Sequence, residues 1–115
     1  MFRLLFNKGN PSNKKPGNLF DAAINGDVVT TQKLLATGVD VNAKGDDGYT
    51  PLMAASSLGR EDIVKLLLNA HADINAINND GGTALKAASD NNHKSIVNLL
   101  REAEKNNKRM RSSLK

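Results

Sequence analysis

The sequence predicts an all-α solenoid of three stacked helix-turn-helix units joined by hairpin loops, with the terminal units acting as caps. Three observations carry this. Residue identities recur at a step of 33: Asp47 and Asp80, Thr50 and Thr83, Leu52 and Leu85, Ala55 and Ala88, Ile63 and Ile96, Leu67 and Leu100. The same step backward joins Leu52 to Leu19, Ala55 to Ala22, Gly59 to Gly26, Leu67 to Leu34, Asp73 to Asp40 and Asn75 to Asn42. A fixed period of this size marks a repeat architecture, in which no unit buries its own apolar face and neighbours must stack. Within the units, apolar residues fall at helical spacing, as in Ile63, Val64, Leu67 and Leu68. The third observation is compositional: 39% of residues are hydrophobic but only 3% are aromatic and none is Trp, so the core must be aliphatic.

The elements follow in order. Residues 1–17 form a leader that opens apolar (Phe2, Leu4, Leu5, Phe6) and continues basic and loop-like, with Pro11 and Pro16 opposing regular structure. The repeat domain spans 18–107, in units of about 17–46, 47–79 and 80–107. The middle unit is the most legible. Thr50 is a helix N-cap and Pro51 takes the first helical position, where its missing N–H costs nothing. Leu52 to Leu58 form a first helix rich in small residues, and Gly59 ends it at a position that tolerates positive φ. Glu61 and Asp62 open the second helix with acid at its positive end. Ala72-Asp73-Ile74-Asn75-Ala76 and Asn79-Asp80-Gly81 then form turns. In the last unit Ile96, Val97, Leu99, Leu100 and Ala103 make a helical stripe that is expected to end near Asn106-Asn107. Residues 108–115 form a basic, serine-containing tail.

The chain has no Cys, which excludes disulfides, thiolate metal sites, iron–sulfur clusters and Cys nucleophiles. No apolar run reaches the roughly 20 residues of a membrane span, and Met1–Phe6 is shorter than the ~7–15-residue core of a signal peptide. A cytoplasmic location is expected. The two histidines, His71 and His93, have neither a Cys nor an i, i+4 partner for a metal, and a surface or capping role is expected of both. Asp40 and Asp73 belong to repeated D-[VI]-N turns and are expected to bond nearby backbone N–H groups. No glycine-rich phosphate loop, nucleophile elbow or paired acid/base is present. The expectation is a non-enzyme with no cofactor, no metal and no small-molecule substrate.

The repeats resemble the ankyrin-repeat family, whose pattern runs G-x-T-P-L-H-x-A-A-x-x-G and then V-x-x-L-L-x-x-G-A-D-V-N-A. The second unit matches it with Gly48-Tyr49-Thr50-Pro51-Leu52, Ala55, Gly59, Val64, Leu67-Leu68 and Ala72 to Ala76. The third matches with Gly81-Gly82-Thr83-Ala84-Leu85, Ala88 and Ile96-Val97; the first with Ala22-Ala23, Asn25-Gly26-Asp27, Leu34-Leu35 and Gly38 to Ala43. Phe20, Met53 and Lys86 stand where the family has a His that braces neighbouring turns. His71 replaces the glycine that closes the second helix, and Asn92 replaces the inter-helix glycine of the third unit.

The resemblance implies a protein-binding module, expected to be monomeric, that holds a partner protein in a concave groove lined by loop tips and first helices. Carried over residue by residue, the groove positions are Asp46, Asp47 and Tyr49 at one tip, and Asn79, Asp80 and Gly82 at the next. Met53, Ser57, Leu58, Lys86, Asp90 and Asn91 are the first-helix counterparts. Tyr49, the only Tyr, either anchors a partner or packs along its own loop. The resemblance also marks Asn42 and Asn75 as the position that asparaginyl hydroxylases modify in animal ankyrin proteins, beside a turn-stabilising role.

Net charge is +4, which alone invites a nucleic-acid reading. The charge is unevenly placed. The leader carries Arg3, Lys8, Lys14 and Lys15 and no acid, and residues 101–115 carry six Lys/Arg against two Glu. Residues 18–100 carry six Lys/Arg against ten Asp/Glu, a net −4. The alternative function is therefore nucleic-acid or anionic-membrane association through the two arms, with the repeats as scaffold; a third is an adaptor or inhibitor that masks an enzyme's site. Ser112 and Ser113 follow arginines and are weakly specified kinase targets.

One prediction follows from His71. A non-Gly residue at positive φ costs roughly 1 kcal/mol, so His71→Gly should raise the unfolding midpoint. Thermal denaturation checks it, and an unchanged or lowered midpoint contradicts it.

Overall fold

A computed structural model describes residues 18–113, with side chains described as far as Asn107. Six helices follow one another: α1 (Leu19–Asn25), α2 (Val28–Ala36), α3 (Pro51–Leu58), α4 (Glu61–Asn69), α5 (Ala84–Asp90) and α6 (Lys94–Ser113). Among the described residues there is no strand. The inner row packs α3 between α1 and α5, and the outer row packs α4 between α2 and α6. Each inner helix also packs on the outer helix that follows it, giving three helical pairs in a stack.

Caps set the helix ends as the sequence suggests. Asn18, Thr50 and Thr83 accept side-chain hydrogen bonds from the N–H groups of Asp21, Met53 and Lys86, satisfying donors that have no partner within the helix. Gly26 and Gly59 end α1 and α3 at φ 68° and 73°. His71 and Asn92, the two residues standing in for glycine, lie at φ 68° and 62°, so both occupy the left-handed conformation expected of them. Asp47 joins them at φ 60°, a feature that sequence reasoning did not single out.

Small residues let the inner row close up. Pro51, Leu52, Met53, Ala54, Ala55 and Ser56 are all buried, because α3 has a helix on either side and α4 behind it. Ala22, Ala23, Ala84 and Ala88 face this packing from the neighbouring repeats. Ile63, Val64 and Leu67 of α4 and Ile96 and Leu100 of α6 supply the aliphatic remainder. Lys33, Asn98 and Arg101 are exposed, as expected of terminal units.

The expected end of the last helix near Asn106-Asn107 is wrong: α6 runs on to Ser113. Its counterpart α4 stops at Asn69 and leads into the D-I-N turn. No such turn, and no Gly or Pro, follows Arg101. The Ala, Glu, Lys, Arg and Met residues that follow are good helix formers, with basic residues toward the end of the helix, where the dipole favours them. Most of the tail thus continues α6; the leader and residues 114–115 lie outside the described residues.

Ser56 is the odd residue of the core: its hydroxyl is buried and has no hydrogen-bond partner. The position one repeat earlier is Ala23, equally buried. A buried hydroxyl without a partner costs about 1–3 kcal/mol in lost solvation, and Ala is also the better helix former. Ser56→Ala should therefore stabilise the fold by about 1 kcal/mol, or roughly 4–8 °C in a domain of this size. A calorimetric midpoint that falls instead contradicts the assignment.

Candidate functional site

The loop tips between repeats are built from short hydrogen-bonded turns. In the first, the Gly45 N–H donates to the Tyr49 carbonyl at 2.7 Å, and the Gly48 and Tyr49 N–H groups donate to the Gly45 and Asp46 carbonyls, both at 3.2 Å. In the second, the Asn78 side-chain oxygen accepts from the N–H groups of Asp80 (2.9 Å) and Gly82 (2.8 Å), while the Asn78 N–H donates to the Gly82 carbonyl at 2.9 Å. Asn78 therefore organises the tip that carries Asn79, Asp80 and Gly82.

The two tips are locked to each other. The Asn79 N–H donates to the Asp47 carbonyl at 2.9 Å, and the Lys44 ammonium donates to the Ile77 carbonyl at 3.2 Å. Deeper in the stack, the Asn42 side-chain oxygen accepts from the Asp73 N–H at 2.7 Å. Asn42 is thus a staple between repeats, beyond the local turn role expected of it. Asp40 and Asp73 do bond the N–H two residues on, at Asn42 and Asn75, both at 2.9 Å.

At the opposite end of the helices a second staple repeats. The Arg60 Nε donates to the Ile24 carbonyl at 3.1 Å. One repeat on, the His93 Nε2 lies 3.1 Å from the Ser57 carbonyl, an acceptor that requires the ring nitrogen to be the donor. His93 is therefore a brace between repeats and not merely a surface or capping residue. Gly26 and Gly59 make room for these side chains: a Cβ on Gly26 would lie 3.1 Å from the Arg60 Cδ, and one on Gly59 would lie 2.7 Å from the His93 Cε1. In the first repeat the same position is Asp27, which instead caps its own helix, α2. Its carboxylate accepts from the Thr30 N–H at 3.1 Å and the Thr30 hydroxyl at 2.7 Å. Those two bonds, with Lys33 adding a smaller effect, hold the Asp27 carboxyl below its ordinary pKa.

Between repeats two and three lies a shallow cavity of about 150 Å³, and it gathers six of the groove positions expected from sequence: Tyr49, Met53, Asp80, Gly82, Lys86 and Asp90. Asn78, Thr83 and Ala87 complete its wall, and sequence reasoning did not nominate them. Met53 needs correction. It is only 1% exposed, because its helix is enclosed on three sides, so it acts as core and apolar floor and offers a partner no free side chain. Tyr49 is half-buried and packs against the core while bordering the cavity. Lys86 and Asp90 pair at 3.4 Å along α5, an exposed i, i+4 contact of small energetic weight. Asp46, Asp47 and Asn79 stand exposed on the tips, outside the cavity. Ser57 and Asn91 meet at 3.4 Å across α3 and α5, away from the cavity, and Leu58 is 47% exposed near the end of α3.

Other depressions are larger. One of about 500 Å³ lies between α4 and α6, and one of about 440 Å³ lies at the inter-helix turns around Gly26, Gly59 and Arg60. Neither contains a groove position. Among the described residues no cluster of His, Asp or Glu is placed to hold a metal ion, and no helix is long and apolar enough to cross a membrane.

Comparison with known proteins agrees with this geometry. The family described as ankyrin repeats (3 copies) matches residues 19–110. The chain is 51% identical over 53 residues to the 2-5A-dependent ribonuclease of Mus musculus, a match covering 45% of this chain and 7% of that protein. It is 36% identical over 59 residues to the ankyrin repeat, SAM and basic leucine zipper domain-containing protein 1 of Eulemur macaco macaco, covering 51% of this chain and 12% of that protein. An ankyrin repeat-containing protein of Schizosaccharomyces pombe is 40% identical over 51 residues, covering 44% of this chain and 25% of that protein. The chain thus spans at most a quarter of the length of these curated relatives.

Gly48 sits where the two tips meet, at φ 79°, and a Cβ there would lie 2.9 Å from the Asn79 side-chain oxygen and 3.2 Å from its backbone nitrogen. Gly48→Ala should lower stability by more than about 1 kcal/mol, combining backbone strain with this clash. It should also speed amide exchange at Asn79, whose N–H bonds across the tips; hydrogen exchange read by NMR checks both effects.

Proposed function

The chain belongs to the ankyrin-repeat family, and on that premise we propose that it binds a partner protein across its loop tips and inner helices. Ankyrin repeats are generally protein–protein interaction modules and typically non-catalytic, and this chain acts as a binding module without catalysis of its own. The observation that carries it is the cavity between repeats two and three. It combines an apolar floor, an aromatic edge from Tyr49 of the second repeat and exposed polar groups, Asp80, Lys86 and Asp90, from the third. Such a combination suits the anchoring of a partner side chain, since a ring contributes contact area and a hydrogen-bonding end at low entropic cost.

Rigidity supports the reading. The tips are cross-linked by one backbone hydrogen bond and by the Lys44 side chain, so the surface is formed before a partner arrives and binding proceeds with little backbone rearrangement. The competing assignment places function in the basic arms, with the repeats as scaffold. It rests on the charge of residues 1–17 and 101–115.

Affinity capture with mass spectrometry identifies the partner, and a Tyr49→Ala, Asp47→Ala double variant tests the surface. Affinity for the captured partner should fall at least about tenfold, or 1.4 kcal/mol, while removal of Lys108–Lys115 should leave it unchanged. The reverse pattern favours the arms and overturns the groove.

A further inference from the structure

The cavity between repeats two and three joins the Tyr49 ring to carboxylates over an apolar floor. Met53 and Ala87 belong to its apolar part, and Asp80, Lys86 and Asp90 are its charged residues. Neighbouring depressions lack this combination. One repeat earlier, a depression of about 220 Å³ has Phe20 and Lys44 on its wall and no carboxylate. The depression between α4 and α6 includes Glu102, and the one at the inter-helix turns includes Glu61 and Asp62, but neither has a Phe or Tyr. The charged residues of the cavity are not equivalent. Lys86 and Asp90 pair along α5 at 3.4 Å and add no net charge. Asp80 is exposed and forms no ion pair with another described residue. Its turn is closed by other groups: the Asp80 N–H donates to the Asn78 side-chain oxygen at 2.9 Å, and the Gly81 N–H donates to the Asn78 carbonyl at 3.0 Å. The turn thus fixes the Asp80 backbone without using its carboxylate.

These features select among side chains. A volume of about 150 Å³ falls below the roughly 300–1,000 Å³ of small-molecule sites and suits a single side chain. An apolar side chain would cover the Met53 floor but would also desolvate Asp80 without giving it a partner, which is costly. A carboxylate would meet Asp80 and Asp90. An ammonium pairs with Asp80 but is compact and strongly hydrated, so it gains little from the ring. A guanidinium lies flat on an aromatic face, offers a carboxylate two parallel N–H groups, and brings a methylene stem that covers apolar surface. Residues 18–100 carry a net −4, which favours the approach of a cationic segment.

We propose that this cavity recognises an arginine side chain of the partner. The guanidinium stacks on Tyr49 and pairs with Asp80, while the methylene stem covers Met53 and Ala87. The inference rests on the partner-binding reading above and names the residue that the partner presents.

Capped tripeptides Gly-Arg-Gly, Gly-Lys-Gly, Gly-Leu-Gly and Gly-Glu-Gly, titrated into the full chain and followed by amide NMR, test this without an identified partner. The arginine peptide should move the Tyr49 and Gly82–Ala87 amides saturably, with a Kd of about 1–10 mM. The lysine peptide, matched in charge, should bind about threefold more weakly, and the leucine and glutamate peptides should not saturate. Asp80→Asn and Tyr49→Leu should each weaken the arginine peptide about threefold. Asp62→Asn, the same charge change on exposed α4 surface, should leave its affinity unaltered. Lysine, leucine or glutamate peptides that bind as tightly as the arginine peptide overturn the proposal. Arginine-peptide shifts that never saturate, that survive both cavity variants, or that centre on the Lys44 depression do so too. The partner-binding reading is judged separately, by the Tyr49→Ala, Asp47→Ala variant and the captured partner. A leucine peptide that saturates the cavity therefore overturns the arginine pocket and leaves that reading standing.

Discussion

Each of the first two repeats depends on a side chain of the next one reaching back to cover it. Arg60 donates to the Ile24 carbonyl and His93 to the Ser57 carbonyl, each passing over a glycine at which a Cβ would crowd the brace, at 3.1 Å from Arg60 and 2.7 Å from His93. A helical pair of this size cannot bury its own apolar face, so stability comes from the interfaces between units. The braces fix how far apart and at what rotation those interfaces form. At the other end of the helices, the Asn42 bond to Asp73 and the Asn79 bond to Asp47 impose the same register on the loops. A stack held at both ends presents its tips as one surface.

The first and last of the three described repeats depart from the middle one. Asp27 occupies the brace position of the first repeat, with no described repeat before it, and it caps α2 instead. At the other end, Asn92 stands where the earlier units have Gly26 and Gly59, in the same left-handed conformation at φ 62°. The long α6 replaces the turn that elsewhere leads to the next tip. Among the described helices only α3 has inner-helix neighbours on both sides, which is why its first six residues are all buried.

The same arrangement divides the charge. Asp46, Asp47 and Asp80 lie exposed on the tips and the other carboxylates are spread over helices and turns, while the basic residues lie largely in the leader and in the last helix with its tail. Exposed pairs such as Lys86 with Asp90 contribute little to folding. The separation of sign acts on association, where it sets which surfaces attract one another and how strongly salt screens them.

Much of the fold was legible in the sequence because its causes are local. Thr50, Thr83 and Pro51 are caps and starts that work through the nearest N–H groups. The step of 33 residues revealed the stacking, because a repeated unit must meet a copy of itself. The left-handed backbone at His71 and Asn92 followed from the glycines they replace. The site was half legible: the repeat frame nominated Tyr49, Asp80, Gly82, Lys86 and Asp90, which the structure gathers around one cavity. It also nominated Met53, whose burial depends on helices packed against both sides of α3, and it passed over Asn78, whose role requires a folded tip. The braces were missed for the same reason. Arg60 and His93 look unlike as residues, and only the tertiary structure brings each within hydrogen-bonding distance of a carbonyl 36 residues earlier. Short-range hydrogen bonding and hydrophobic periodicity could be read from sequence alone. Contacts between repeats were decided by packing, because they depend on the distance and angle at which whole helices meet.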